Sequence, residues 1–202
     1  MSTVVKLDLE AFTARTGSRY SESLSKSVVD ALPGISEDGP WLAGGALRRL
    51  AIGQAQSSDF DFFFRSEQQF DQWCSAISGT AVGETQHHRH FRISVDGEQR
   101  DIQAIKFRFY ESAEEVIDSF DYTITQFVTG GQFLTTTAEA LFDLGRQRLA
   151  IHRVTYPVAT MRRMLKYGRQ GFTACQGTMA ELLRQTASNP EALSHLDIQY
   201  VD

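Results

Sequence analysis

Several features that define common classes of protein are missing from this chain of 202 residues. It has two cysteines, Cys74 and Cys175, which lie far apart without a metal-type spacing, so we expect free thiols in a reducing compartment. No apolar run reaches the length of a membrane span, and charged residues enter early, at Lys6, Asp8 and Glu10, unlike in a signal peptide. These absences predict a soluble, cytoplasmic protein with no membrane partner.

Familiar catalytic motifs are missing too. The chain has no P-loop and no serine or cysteine hydrolase motif. Its formal net charge of −5 and pI near 5.5 leave no overall basic field for nucleic acid, although a local basic patch remains open. The run His87-His88-Arg89-His90 has no cysteine beside it and is predicted as a strand, so we favour surface or substrate contact over a zinc site.

The most informative segment that is present runs from Trp41 to Phe64 and reads WLAGGALRRLAIGQAQSSDFDFFF. Within it, Asp59 and Asp61 alternate with phenylalanines. Since residues two apart on a strand share a face, the two carboxylates are predicted to stand side by side, with the phenylalanines on the other face. Neighbouring carboxylates repel each other, and a hard divalent cation such as Mg²⁺ removes that repulsion.

A glycine pair precedes the aspartates. Gly44 and Gly45 follow a short apolar strand and begin a short helical pattern over residues 45–52. Without a Cβ they allow close approach of a ligand, and the first amides of a helix favour an anion. Phosphates beside carboxylate-bound Mg²⁺ indicate a nucleoside triphosphate site.

This combination resembles the signature of the DNA polymerase β-type nucleotidyltransferase superfamily, and it is most similar to the head and neck of tRNA nucleotidyltransferases and bacterial poly(A) polymerases. The matching residues are Gly44-Gly45-Ala46-Leu47-Arg48, Gly53 and Asp59-Phe60-Asp61. The resemblance implies that the glycine pair holds the triphosphate, that Asp59 and Asp61 bind Mg²⁺ (with Mn²⁺ as a substitute), and that Arg48 neutralises charge. The alternative is a packed strand–helix–strand unit with a solvated acidic pair.

Two-metal phosphoryl transfer needs a further carboxylate. A hairpin is predicted from strands 88–95 and 99–108 joined at Asp96-Gly97, and its second strand carries Asp101, which matches the superfamily's third aspartate in order. We predict that Asp101 completes the metal site, with Gln103 on the same face. The alternative is a solvated Asp101 just after a turn, which would make Asp121 the next candidate.

Two later segments add to the resemblance. Phe120-Asp121-Tyr122-Thr123-Ile124-Thr125 is similar to a tRNA nucleotidyltransferase segment, which implies a nucleotide-binding role for Asp121. Residues 157–172 resemble the neck helix of that family. Its spacing predicts an apolar stripe through Met161 and Leu165 and a basic face formed by Arg162, Lys166 and Arg169, of which Arg162 and Arg169 are expected to contact the nucleotide.

One departure from the family bears on the substrate. In the family, an acidic pair before the neck proline and an arginine after it select C and A, but Thr155, Tyr156 and Ala159 stand at those positions here. Because the groups that would read a base edge are missing, we do not expect CCA addition.

The order of predicted elements gives an α+β fold, namely a nucleotidyltransferase-type mixed sheet with helices on one side followed by a small helical part. We predict a head-like domain over residues 1–153 and a neck-like helical extension over residues 154–202, packed on that domain. The predicted function is Mg²⁺-dependent transfer of a nucleoside monophosphate to an acceptor hydroxyl. Three alternatives stay open: an RNA 3′ end as acceptor, a protein or small molecule as acceptor, and a nucleotide-binding regulatory module without turnover.

Overall fold

A computed structural model describes residues 3–17 and 19–193 of the chain. Within them, eight strands form one mixed sheet in the order β1-β8-β7-β2-β3-β6-β5-β4, and two short strands, β9 and β10, pair separately. The strands are β1 Val4–Asp8, β2 Trp41–Ala43, β3 Phe60–Phe63, β4 Thr80–Glu84, β5 His88–Val95, β6 Glu98–Ile105, β7 Phe127–Thr129, β8 Phe133–Thr137, β9 Arg148–Leu149 and β10 Thr173–Ala174.

In the same described residues, eight α-helices surround the sheet. They are α1 Leu9–Ala14, α2 Leu24–Asp30, α3 Gly45–Ala51, α4 Glu67–Ala76, α5 Ala113–Asp118, α6 Ala138–Gly145, α7 Pro157–Arg169 and α8 Gln176–Ser188. Several of these helices are capped at their N-terminus by a side-chain oxygen. At the start of α4, for example, the Ser66 side chain accepts a hydrogen bond from the amide of Gln69.

The centre of the sheet combines two kinds of strand pairing. β2 lies antiparallel between β7 and β3, whereas β3 runs parallel to β6 with Asp61 opposite Gln103. β5 and β6 form the predicted hairpin, in which Asp96 (φ 53°) and Gly97 (φ 80°) adopt the left-handed backbone that a tight turn needs. This pairing places side chains of β3, β6 and β5 in rows on one face.

The two faces of the central strands are packed differently. Phe60, Phe62 and Phe64 are fully buried in the main core, beside residues of α3 and α4. On the other face Phe63 packs in a smaller cluster with Val116 of α5. The predicted α+β fold is therefore confirmed, with α5 as a helix on the face opposite α3 and α4.

α7 packs against the sheet domain. The Tyr122 hydroxyl donates a hydrogen bond of 2.9 Å to the Thr160 carbonyl, and the Tyr122 and Tyr167 rings meet edge to face at 5.6 Å. Met164 and Phe172 belong to the same core as Phe60. The predicted boundary between residues 153 and 154 thus falls within one continuous core, and residues 194–202 of the predicted extension lie outside the described residues.

Some elements were not predicted from the sequence. β1, β4, α1 and α6 were not predicted, and neither was the 3-10 helix of residues 123–125. In α7 the predicted apolar stripe is wrong in part, since Met161 and Leu165 are 42% and 60% exposed. Both cysteines are free thiols. Across the described residues we find no helix whose length and apolarity would suffice for a membrane crossing.

Candidate active site

A cavity of about 440 Å³ opens on the face of the sheet that carries the aspartate pair. Asp61 lies in β3, and Asp59 is the residue immediately before that strand. Both side chains are half-buried and line the cavity. Phe60 and Phe62 between and after them point into the core on the other side. The alternation of the sequence thus produces the predicted arrangement of two neighbouring carboxylates on one face.

The electrostatics of this pair favour a bound cation. Burial first, and then the nearby Asp59, raise the pKa of Asp61 to about 7, although Lys166 and Arg163 act in the opposite direction. A carboxyl that is hard to ionise for these reasons gains most from a divalent cation with oxygen ligands. The donor set of Asp59 and Asp61 fits Mg²⁺, and in the described part of the chain no group of three or more His, Cys, Asp or Glu side chains is placed to hold a metal ion.

The neutral amide of Gln103 lies beside the two carboxylates. It lies in β6 opposite Asp61, and its Nε2 donates a hydrogen bond of 2.6 Å to Oδ2 of Asp59. The sequence indicated that Gln103 shares this face, but not that it binds an aspartate. Its position follows from the parallel register of β3 and β6, which no local sequence pattern specifies.

Asp101 is not brought to the aspartate pair. Its Oδ1 accepts hydrogen bonds from Nε2 of His90 at 2.9 Å and from Nε and Nη2 of Arg92 at 3.0 and 2.9 Å. Burial opposes ionisation of Asp101, but the bonds from Arg92 and His90 outweigh it and hold its pKa below the usual value. The arrangement therefore argues against the prediction that Asp101 is the third metal ligand, because its carboxylate is engaged by two neighbours on β5.

The glycine pair plays two different parts. Gly44 has φ of 77°, and its amide donates a hydrogen bond of 2.8 Å to the Phe127 carbonyl, so this amide is used within the fold and cannot also hold a phosphate as predicted. A Cβ at Gly44 would lie 3.6 Å from the Phe120 ring and 4.0 Å from Oδ2 of Asp61. Both glycines line the cavity, and Gly45 begins α3.

Arg48 lies at the base of the cavity rather than at its opening. It is 2% exposed, and its guanidinium lies over the rings of Tyr167 and Phe172 at 4.8 and 5.2 Å. Its Nη2 donates to Oε1 of Gln170 at 2.6 Å, whereas its buried Nε and Nη1 make no hydrogen bond within the described residues. Burial lowers its pKa. Arg48 therefore joins α3 to α7, which the sequence did not indicate.

On α7 the residues that face the cavity differ from those predicted. Thr160, Arg163, Tyr167 and Gln170 recur at helical spacing along the cavity wall, with Lys166 at its edge. Arg162 and Arg169, the predicted contacts, are exposed and outside the described lining. Of the predicted basic face, Lys166 lines the cavity and the two arginines do not, because the helix is rotated by about one residue relative to that interpretation.

The remaining predicted nucleotide contact, Asp121, lines the cavity and is 7% exposed. Its Oδ2 accepts a hydrogen bond of 2.7 Å from Nη1 of Arg163. Of the positions that replace the family's base-reading residues, Thr155 and Tyr156 line the cavity, whereas Ala159 is buried. The cavity thus contains hydroxyl groups where the family has charged groups.

The charge of the cavity wall is positive overall. Six cationic and three carboxylate side chains line it: Arg48, Arg49, Arg108, Arg153, Arg163 and Lys166 against Asp59, Asp61 and Asp121. Aromatic rings of Phe63, Phe120 and Tyr110 form an apolar part of the wall, with Phe63 and Phe120 edge to face at 5.8 Å. A ligand that is anionic at one end and apolar and flat at the other fits this distribution.

Known proteins resemble this chain both in sequence family and in fold. The family model described as "Gabija anti-defense 2 family protein" matches residues 13–147, which include both aspartates and Gln103. The chain belongs to the Gabija anti-defense 2 family. "Gabija anti-defense 2" of Bacillus phage SPbetaL7 is 22% identical over 141 residues, which are 65% of this chain and 33% of that protein. The chain thus spans about a third of the length of this curated relative.

Solved structures of CCA-adding enzymes have a fold similar to that of this chain. A CCA-adding enzyme with ATP has a TM-score of 0.62 at 16% identity over 90% of this chain and 46% of its own. The complex with CTP has a TM-score of 0.62 at 15% identity over 91% and 47%. The Thermotoga maritima CCA-adding enzyme complexed with tRNA_CCA has 0.58 at 14% identity over 95% and 47%. The chain spans about half of these proteins and shares their fold.

Proposed function

We propose that this Gabija anti-defense 2 family chain is a nucleotidyltransferase that uses a divalent cation to move a nucleoside monophosphate from an NTP to an acceptor hydroxyl. The observation that carries the proposal is the pair of half-buried carboxylates, Asp59 and Asp61, in a cavity whose wall has twice as many cationic as carboxylate side chains. The ATP and CTP complexes of structural neighbours support an NTP as the ligand of this fold.

In the proposed reaction the oxygen of the acceptor hydroxyl attacks the α-phosphorus and its proton passes to water. The bond from that phosphorus to the oxygen that bridges the α- and β-phosphates breaks, and pyrophosphate leaves. Asp59 and Asp61 would hold Mg²⁺, which supplies charge neutralisation at the phosphates when bound. Arg163 and Lys166 line the same cavity and attract the triphosphate. The wall of Phe63, Phe120 and Tyr110 offers a stacking surface for the base. Positioning and electrostatics are the main catalytic contributions in such transfers.

For the acceptor we favour a component of a bacterial antiphage defence, modified on a protein or small-molecule hydroxyl. The family description links the chain to an action against Gabija. The uncharged Thr155 and Tyr156 offer no equivalent of the charged base-reading pair that serves RNA-end synthesis in the family that the sequence resembles. An RNA 3′ end remains an alternative outcome of the test.

The test is transfer of label from each α-labelled NTP, with Mg²⁺, into extracts of cells that carry a Gabija system. Labelled protein, RNA and small molecules are separated afterwards. Asp59→Asn and Asp61→Asn should abolish the labelling, whereas Arg162→Ala, on the exposed side of α7, should retain it. Label in RNA would overturn the proposed acceptor class.

A second candidate function is a nucleotide-binding regulatory module without turnover. It is favoured by one observation, the engagement of Asp101 by Arg92 and His90, which leaves the carboxylate pair without a third carboxylate. Binding of NTP that depends on Asp59 and Asp61, with no label transferred to any fraction, would support this candidate over the enzyme.

A further inference from the structure

We propose that the site binds one divalent cation with the nucleotide rather than two, and that Gln103 is the positioning residue that holds Asp59 for that cation. The inference rests on the proposed function and deepens it by stating the metal content of the same site. Its basis is the side chain that occupies the place beside the carboxylate pair where a third carboxylate would be needed.

The first argument is geometric. β3 and β6 are neighbouring parallel strands, and Gln103 lies opposite Asp61 on the face that carries both aspartates. The Gln103 amide reaches Asp59, with 2.6 Å between Nε2 and Oδ2. A carboxylate at residue 103 would be the nearest one able to share a second cation with Asp59, but the chain has a neutral amide there.

The second argument concerns which end of the amide faces Asp59. An ionised carboxylate only accepts hydrogen bonds, so Gln103 must turn its NH₂ group towards it. An amide nitrogen is not a ligand for Mg²⁺, which takes oxygen. Gln103 therefore occupies one oxygen of Asp59 without contributing to a metal site, and it leaves the other oxygen of Asp59 and the carboxylate of Asp61 for one cation.

The third argument is that Asp101 is held elsewhere. It lies one row along the same face, but three hydrogen bonds from His90 and Arg92 hold its Oδ1. Drawing Asp101 towards Asp59 would remove these charge-assisted bonds, each of which is about twice as strong as a neutral one. Asp101 therefore stays with β5 and does not supply the missing ligand.

The charge of the cavity also favours one divalent cation over two. One divalent cation balances the two charges of ionised Asp59 and Asp61. Asp121, the third carboxylate of the lining, is already paired with Arg163. A second divalent cation would add to a wall that has six cationic side chains, and like charges at short range disfavour one another. The phosphates of the nucleotide are neutralised by that one cation together with the cationic side chains of the wall.

The test is equilibrium dialysis of the full chain with labelled Mn²⁺ and a labelled non-hydrolysable NTP analogue, counting Mn²⁺ per nucleotide retained. We expect one Mn²⁺ per nucleotide for the unmodified protein and for Asp101→Asn. Gln103→Asp should retain two, because it supplies the missing carboxylate. Gln103→Ala should retain one but with a Mn²⁺ affinity several-fold weaker, since Asp59 is no longer held.

Two Mn²⁺ per nucleotide on the unmodified protein would overturn the inference, and their reduction to one in Asp101→Asn would establish Asp101 as the third ligand. A count that stays at one in folded Gln103→Asp would overturn the role given to Gln103. Should that variant not fold, the count on the unmodified protein decides the question. If no nucleotide is retained with Mn²⁺, the proposed function itself fails, so the two failures are distinguishable.

Discussion

The carboxylate of Asp121 and the guanidinium of Arg163 form an ion pair of 2.7 Å across the cavity, with side chains that are 9% and 22% exposed. Asp121 follows α5 on the sheet domain, and Arg163 lies in the middle of α7. Together with the bond from Arg48 of α3 to Gln170, this pair connects the helical extension to the sheet domain. The extension therefore forms part of the cavity wall.

Arg163→Met should destabilise the protein by about 3 kcal/mol, because removing one partner leaves a buried charge uncompensated at Asp121. Urea unfolding followed by circular dichroism measures the change. Arg169→Met, on the exposed side of α7, is the matched control and should change the unfolding free energy by less than about 0.5 kcal/mol. Equal effects of the two variants would show that the ion pair does not hold α7 in place.

The carboxyl of Asp61 predicts a pH dependence of stability. Its pKa is raised from 3.8 to about 7 by burial and by Asp59, so the folded state binds this proton more tightly than the unfolded chain does. The group's contribution is fully present below its unfolded pKa and is lost as pH rises through 7.

The substitution Asp61→Asn removes the ionisable carboxyl, and with it the loss of stability as pH rises. In the absence of divalent cations the variant should be more stable than the unmodified protein by about 2 kcal/mol near pH 8, and the difference should shrink towards pH 4. Thermal or urea unfolding across this pH range measures it. Mg²⁺ with an NTP should reverse the order by stabilising only the unmodified protein, and a difference independent of pH would contradict the pKa assignment.

Gly44 and Gly45 should differ sharply in their tolerance of alanine. Gly44 has φ of 77° and ψ of −129°, a conformation that residues with a Cβ rarely adopt. Gly44→Ala should cost about 2 kcal/mol, the range for one strained residue. At Gly45 the nearest atom to an added Cβ is Ser58 Oγ at 3.6 Å, an ordinary contact, so Gly45→Ala should be nearly neutral. Unfolding curves of both variants test the contrast, which fails if Gly45→Ala is the more damaging change.

The two thiols should react with alkylating agents at very different rates. Cys74 is buried, and burial raises its pKa to about 11, whereas hydrogen bonds from the Thr178 hydroxyl and from the amides of Thr178 and Gly177 lower the pKa of the exposed Cys175. Because the thiolate is the reactive form, iodoacetamide near pH 8 should modify Cys175 first. Peptide mapping identifies the site. Cys74 should react only after unfolding, and its modification in the folded protein would contradict the packing around it.

Local chemistry determined much of this protein at the level of sequence. The alternation of Asp59 and Asp61 with phenylalanine specifies which side chains point to the core, because successive residues of a strand face opposite sides. The turn at Asp96-Gly97 also follows from neighbouring residues alone. These features were predicted correctly since each depends on contacts within a few residues.

Only the tertiary structure decided which residues of β6 and α7 lie beside the aspartate pair. Which residue of β6 stands beside Asp59 depends on the parallel register of two strands more than forty residues apart in sequence, and that register places Gln103 there while Asp101 binds Arg92 and His90. The rotation of α7, which brings Arg163 to the cavity in place of Arg162, depends on how Tyr167 packs against Tyr122 and Arg48. Such choices are made by long-range packing, whose energy is shared among many residues, so no local pattern specifies them.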